Sequence, residues 1–226
     1  MSLRDHTALN EVEDCGILRE LVQEMGLYRN LTPFLVNGRD TTTGQNVALM
    51  SKFDAVQPAV AILGKSKFPV PGSACPLTST GGAYGPTKVL HVVLVVPGLA
   101  RNVSVYAVHM LSPRSGHESC FKREAAAVVL SDTISRDENH VILVGDMNED
   151  YNGPVTKVIL RNTALKAVKG YKATFKSGSR KLLLDHVYLD PELFEIVHRV
   201  EVFINTVSDH YPVVVDLKLK DIKYEL

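Results

Sequence analysis

The sequence predicts a mixed α/β fold, whose strand count two sheets packed face to face with helices outside would accommodate, though periodicity alone does not give that topology. Strand-length β-rich runs outnumber helical patterns along the chain. Tight hairpin signals stand beside a helical stretch long enough to serve as a crossover between parallel strands. No internal repeat and no linker divides the 226 residues, so a single domain over residues 1–226 is expected.

In chain order, Val12, Ile17, Leu18, Leu21, Val22 and Met25 recur at helical spacing, and Gly26 ends the pattern. Leu31 to Val36 and Asn46 to Met50 read as short strands around a Gly/Asp/Thr turn. Gly64 to Thr87 is dense in Pro, Gly, Ser and Thr, a long loop of the kind that often carries function. Lys88 to Val96 and Asn102 to Val108 form a hairpin about Pro97-Gly98. His117 to Ser135 is the crossover helix. Val141 to Val144, uniformly aliphatic, reads as a strand buried on both faces. Pro154 opens a short helix to about Arg161, at a position where its missing N–H costs nothing. Leu182 to Leu189, Phe194 to Ile204 and Tyr211 to Leu219 are the last expected strands.

Hydrophobic residues make up 45 % and charged residues 22 %, which excludes a disordered tail, a collagen-like rod and a disulfide-dense mini-protein. Lys+Arg and Asp+Glu both number 25, so no overall basic field steers the chain toward polyanions. No apolar run approaches the ~18 residues of a membrane span. Met1 to His6 lacks the apolar stretch of a signal peptide. The three cysteines, Cys15, Cys75 and Cys120, have no metal-ligand spacing. Their odd number suggests reduced thiols and a cytoplasmic or nuclear location, with a single bridge and one leftover thiol as the alternative. The C-terminal Lys223-Tyr224-Glu225-Leu226 loosely resembles an ER-retrieval signal, against the simpler reading as an ordinary tail.

Polar residues gather where strands end, the places at which a rigid scaffold presents reactive groups. Taken singly, each has an ordinary role. Glu11 suits a helix N-terminus, Asp146-Met147-Asn148 an Asx-turn, His109 a structural strand end, His186 a packed strand position and Ser208-Asp209-His210 a capped turn. Taken together, two histidines and four acids at separate strand ends suggest convergence. Hard carboxylate oxygens suit Mg²⁺ or Mn²⁺. A carboxylate beside a histidine fixes its tautomer and favours its charged form. Metal, oriented water and imidazolium together would cleave a phosphodiester.

The order of these motifs resembles that of the endonuclease/exonuclease/phosphatase family, the deoxyribonuclease I-like hydrolases. Asn10-Glu11-Val12-Glu13 resembles the family's QEVE, and Val108-His109-Met110-Leu111 resembles its THL segment. Gly145-Asp146-Met147-Asn148 resembles GDFN, Leu184-Asp185-His186-Val187 resembles IDHI, and Ser208-Asp209-His210-Tyr211-Pro212-Val213 resembles SDHYPV. Gly44 to Lys52 is similar to an early strand of the family. The resemblance implies a four-layer α-β-β-α sandwich with the site at one edge of the paired sheets. It implies Glu11 as metal ligand with Asp209 at the metal's edge, and Mg²⁺, with Mn²⁺ as substitute, as cofactor. Asp146 would activate water, Asn148 would hold the phosphate, and His210 would face it with Asp185 behind. His109 would stabilise a phosphate oxygen or aid the leaving group. Asn46 and Arg114 are expected to contact substrate.

Members of the family usually begin with an Asn-bearing strand ahead of the Glu motif, whereas ten residues precede Glu11 here. The resemblance therefore implies an N-terminally shortened domain, and leaves a secretory route open. The expected substrate is a nucleic acid, cleaved as an endo- or exonuclease would. A lipid or small phosphoester, such as sphingomyelin or an inositol phosphate, and a weakly active binding module are the alternatives. A monomer is expected. Substrate choice is expected in the loops Gly64 to Thr87 and Ser112 to Glu118, whose Lys65, Lys67, Arg114 and His117, with Lys88, make no strong basic patch.

Overall fold

A computed structural model describes residues 6–26, 31–39, 43–76 and 78–219. The C-terminal tetrapeptide and the first five residues lie outside them. The elements are β1 (His6–Val12), α1 (Cys15–Glu24), β2 (Thr32–Val36), β3 (Asn46–Ser51), β4 (Val60–Ala61), β5 (Ser66–Phe68) and β6 (Gly82–Tyr84). Then come β7 (Val89–Leu94), β8 (Val103–His109), α2 (Ser119–Ile134), β9 (His140–Asp146) and α3 (Pro154–Asn162). The chain continues through β10 (Lys166–Ala167), β11 (Phe175–Ser177), β12 (Arg180–Leu182), β13 (Asp185–Leu189), α4 (Pro191–Glu195), β14 (Val197–Val202) and β15 (Val213–Leu217).

The main sheet has the order β10-β13-β9-β8-β7-β4. Its centre is the parallel pair β8 and β9, joined by the crossover helix α2, with antiparallel neighbours on either side. Both faces of this sheet are apolar, as the uniform aliphatic runs require. Tyr106, Val108, Leu143 and Tyr188 pack against Ala127, Leu130 and Ile159 of α2 and α3. On the opposite face Leu90, Val92, Val105, Ile142 and Val187 meet Val47 and Leu49 of β3 and the inward side chains of β14 and β15. That second layer is the sheet β1-β3-β2 beside the pair β14-β15. Leu18 and Val22 of α1, one turn apart, cover its outer side over Ala48 and Met50. The four layers are therefore helix, sheet, sheet, helix, as the motifs implied.

Several local expectations change. The N-terminal helix starts at Cys15, because the Asp14 carboxylate accepts from Gly16 N (2.6 Å) and Ile17 N (3.0 Å) and caps it there. The residues before it form β1, which the sequence reading missed. Phe194 to Ile204 is not one strand. Asp190 caps α4 through Glu192 N and Leu193 N, with Pro191 in its first turn, and β14 begins only at Val197.

The expectation of reduced cysteines is overturned. Cys75 and Cys120 are joined, and Cys15 is free and exposed. The bridge pins the long Gly64–Thr87 segment to α2. The buried Glu124 carboxylate reinforces it by accepting from Ser73 Oγ (2.5 Å) and Ala74 N (2.8 Å), as does Glu118 by accepting from Thr80 N (3.0 Å). Most of that segment is thus committed to the helix layer. Among the described residues, no helix is long and apolar enough to cross a membrane.

Candidate active site

Strand register assembles the site. His109 ends β8 opposite Asp146, which ends β9, and Asp146 lies opposite Asp185, which begins β13. Three chemistry-bearing residues far apart in sequence thus stand in one row across adjacent strands. Gly145 makes the crossing possible. Its φ is +138°, and a Cβ there would be driven into the Val108 carbonyl of the neighbouring strand.

Asp146 is buried, and Met110 N donates to its carbonyl (2.8 Å). Its side chain forms the Asx-turn that the sequence suggested. Oδ1 accepts from Asn148 N (2.7 Å) and Oδ2 from Asn148 Nδ2 (3.0 Å). Asn148 adopts a left-handed conformation (φ 53°), and its amide also donates to Met110 O (2.9 Å). His109 Nε2 lies 3.5 Å from Asp146 Oδ2. Burial, then the charge of Asp185, and to a smaller extent that of Glu11, push the Asp146 carboxyl up to about 7.

His210 Nδ1 donates to Asp185 Oδ2 (2.8 Å). Burial pulls this imidazole down, but the Asp185 bond and charge outweigh it, with help from Asp146 and Asp209, and hold it at about 9. The Phe175 ring stands edge-on to it at 5.0 Å. Behind Asp185, His186 is buried as expected, stacked on Tyr151 at 4.0 Å and hydrogen-bonded to Tyr188 Oη (2.7 Å). Burial lowers it to about 4, so it stays neutral.

Glu11 sits in a β-bulge. The β1–β3 register slips between Leu9 and Val12, and Glu11 takes φ 61°. Bulges re-aim side chains, and residues held at such angles gather at functional sites. Glu11, His109, Lys88 and Ser112 line a pocket of ≈ 130 Å³. Oxygen-only donors that raise one another's proton affinity, as Glu11 and Asp185 do for Asp146, fit a hard divalent cation. Among the described residues no three acid, His or Cys side chains are already gathered as a metal cluster.

The remaining expected residues stand apart from this row. Asp209 is exposed, its carbonyl accepting from Lys176 N (2.8 Å). Arg114 is exposed on a 3₁₀ turn, Pro113–Ser115. Asn46 is not placed as a substrate contact. It is buried, its Oδ1 accepting from Gly38 N (2.8 Å) and its Nδ2 donating to Glu13 O (2.8 Å), so its amide serves to join loops.

Two contributors went unassigned in the sequence. Asn10, with its amide oriented to satisfy both neighbours, donates to Val108 O (3.2 Å) and accepts from Asp146 N (3.1 Å), tying β1 to the central strands. Its place beside Glu11 was the available signal. Buried Thr174 accepts at Oγ1 from Leu184 N and Asp185 N (both 3.0 Å) and at its carbonyl from Tyr211 N (2.6 Å). It joins the segments carrying Asp185 and His210, and nothing local marks it.

The sequence profile of the Endonuclease/Exonuclease/phosphatase family matches residues 7–210, and the chain belongs to that family, whose members act on phosphoester bonds. Among solved structures the chain is similar to a mutant beta toxin of Staphylococcus aureus with bound magnesium ions. The two are 18 % identical over 95 % of this chain and 87 % of that one, with a TM-score of 0.64. It is also similar to the 3'-5' exonuclease NExo of Neisseria meningitidis (16 % identity, 94 % and 89 % covered, TM-score 0.63). A third is sphingomyelinase C of Streptomyces griseocarneus (19 %, 95 % and 86 %, TM-score 0.60). No curated protein matches the chain by sequence.

Proposed function

We propose that the chain is a divalent-metal-dependent phosphodiester hydrolase acting on nucleic acid. The observation that carries this reading is the His109–Asp146–Asp185 row with His210 bonded to Asp185. His210, held at about 9, is charged at neutral pH and suits a phosphate oxygen better than a water proton. Asp146, near 7, is poised to orient and deprotonate the attacking water. Asn148 would hold the phosphate by turning one Nδ2 proton away from Met110 or Asp146 toward it, and His109 would support the charge that develops there. Glu11 would hold Mg²⁺ or Mn²⁺, which would supply charge neutralisation at the phosphate, and exposed Asp209, beside His210, would act at the metal's edge. A neighbour in fold, NExo, is described as bound to a product DNA hairpin, which supports the nucleic-acid assignment.

Phe203, Ile204 and Val207 favour a second reading. They are exposed (47 %, 81 % and 93 %) on the loop that leads to His210, and a lipid phosphodiester would suit them. The Cys75–Cys120 bridge favours an oxidising compartment over the cytoplasm or nucleus.

Nicking of supercoiled plasmid with Mg²⁺, Mn²⁺ or EDTA, beside His210→Ala, tests the proposal. Metal-dependent nicking lost in the variant is expected. Cleavage that survives His210→Ala would sink it.

A further inference from the structure

Between Tyr151 and Leu184 the chain carries eight Lys and Arg residues and no Asp or Glu, although its overall charge is zero. All eight are exposed. Lys166, in β10 at the edge of the main sheet, is neutralised by Glu195 (2.8 Å). From there Lys169 and Lys172 lead toward the catalytic end, where the hairpin β11–β12 adds Lys176, Arg180 and Lys181. No carboxylate among the described residues pairs with these five.

The hairpin is rooted in the site itself. Lys176 N donates to Asp209 O, Phe175 bridges to His210, and Thr174 fastens its base to Asp185. Lys176 and Lys181 are direct cross-strand partners. Like charges placed opposite each other weaken a two-stranded ribbon, so their own strand gains nothing from them. A polyanion laid across the hairpin would convert that repulsion into binding.

We propose that the β11–β12 hairpin is a phosphate-backbone clamp that feeds a nucleic-acid strand to His210, with Lys176, Arg180 and Lys181 as its contacts. This assignment rests on the nucleic-acid reading above and extends it from the scissile bond to the flanking strand. The tip, Ser177-Gly178-Ser179, is polar and offers nothing to insert into lipid. The cations stand on both faces of the ribbon and continue back along the sheet edge, as a strand-tracking surface needs.

The test is equilibrium binding of a fluorescein-labelled single-stranded DNA in EDTA, where cleavage plays no part, over a range of salt. The triple variant Lys176→Ser/Arg180→Ser/Lys181→Ser should bind roughly tenfold or more weakly, with its log–log salt slope smaller by about 2, as expected for three lost phosphate contacts. Replacing Lys176 and Lys181 by Arg should preserve both affinity and slope, and melting curves check that every variant folds. Equal affinity and slope in the wild type and the folded triple variant would overturn the clamp. So would hairpin-dependent binding to phosphatidylserine vesicles without binding to DNA, which would assign the surface to membranes. DNA binding through the hairpin by a protein that cleaves no phosphodiester would leave the clamp standing and remove the hydrolase reading. Hydrolysis of bis(p-nitrophenyl) phosphate without hairpin-dependent DNA binding would do the reverse.

Discussion

A carboxyl that loses its solvent and faces two further acids gives up its proton late, which is why Asp146 titrates near 7. A divalent cation held at Glu11, whose charge Asp146 already feels, would compete with that proton. Magnesium affinity should therefore weaken about tenfold for each pH unit below neutrality and level off above it. Calorimetric titrations on either side of pH 7 would show this, and a flat profile would exclude Asp146 from the metal's surroundings. For His210 the dependence runs through its partner. Asp185→Asn removes the charge that sustains the imidazole at about 9 and leaves burial unopposed, so its pKa, followed by NMR, should fall to the usual histidine range near 6.5 or below it. Turnover should fall with it, but by less than the several orders of magnitude expected for His210→Ala or Asp146→Ala. His186 acts on stability instead. Its folded pKa, about 4, lies below the unfolded value, so between about 6.5 and 4 only the unfolded chain takes up a proton. Acid should therefore weaken the fold, by on the order of 3 kcal/mol from this group alone. His186→Phe, which leaves Tyr188 Oη its Thr156 partner (2.7 Å), should lose stability less steeply toward acid than the wild type in denaturant melts.

Elements place these residues through a few backbone contacts. Gly145→Ala would force a side chain into a left-handed position against the Val108 carbonyl, at a cost of at least about 2 kcal/mol. It should also reduce turnover more than the lost stability accounts for, because Asp146 is the next residue. Thr174→Val keeps the shape but leaves two amides without their acceptor, each costing about 1–3 kcal/mol, whereas Thr174→Ser should keep both bonds. Equal melting temperatures for Val and Ser at this position would show that the hydroxyl is not the joint between Asp185 and His210. The same contacts explain what the sequence disclosed. β9 was legible because burial on both faces demands an unbroken aliphatic run, and β8 as the second half of a β-rich hairpin; their polar ends then marked His109 and Asp146. Leu182 to Leu189 looked like one strand. It breaks at Leu183-Leu184, where the Thr174 hydroxyl takes the amides that a continuing ladder would have used. β10, β11 and β12 are two or three residues long, too short for any period to register. The basic run they carry was countable all along, but it lies outside the two loops where substrate contacts were expected.

At the scale of the whole molecule, the apolar runs made a main sheet buried on both faces legible, whereas the second sheet and the four-layer order were legible only through the motifs' resemblance to the family. The fate of the Gly64–Thr87 segment was not legible, because nothing in its turn-rich composition tells a loop over the site from one strapped to the back. The strap is a cross-link over 45 residues, between Cys75 and Cys120. Closing a loop of that length removes unfolded-state entropy worth about 4 kcal/mol at room temperature. Two acid clamps, Glu118 and Glu124, hold the same segment after reduction, so the native structure should persist while the unfolded chain gains freedom. Reduction, or Cys75→Ser/Cys120→Ser, should therefore lower the melting temperature by roughly 10 °C. Turnover well below the new midpoint should be retained, since the bridge joins a loop to α2 and touches none of the His109, Asp146, Asp185 and His210 group. A melting temperature unchanged by reductant would mean that the segment is held by its side-chain contacts alone. A loss of turnover without a loss of stability would mean that the strap reaches the site through the start of β7, where Lys88 lines the small pocket beside Glu11.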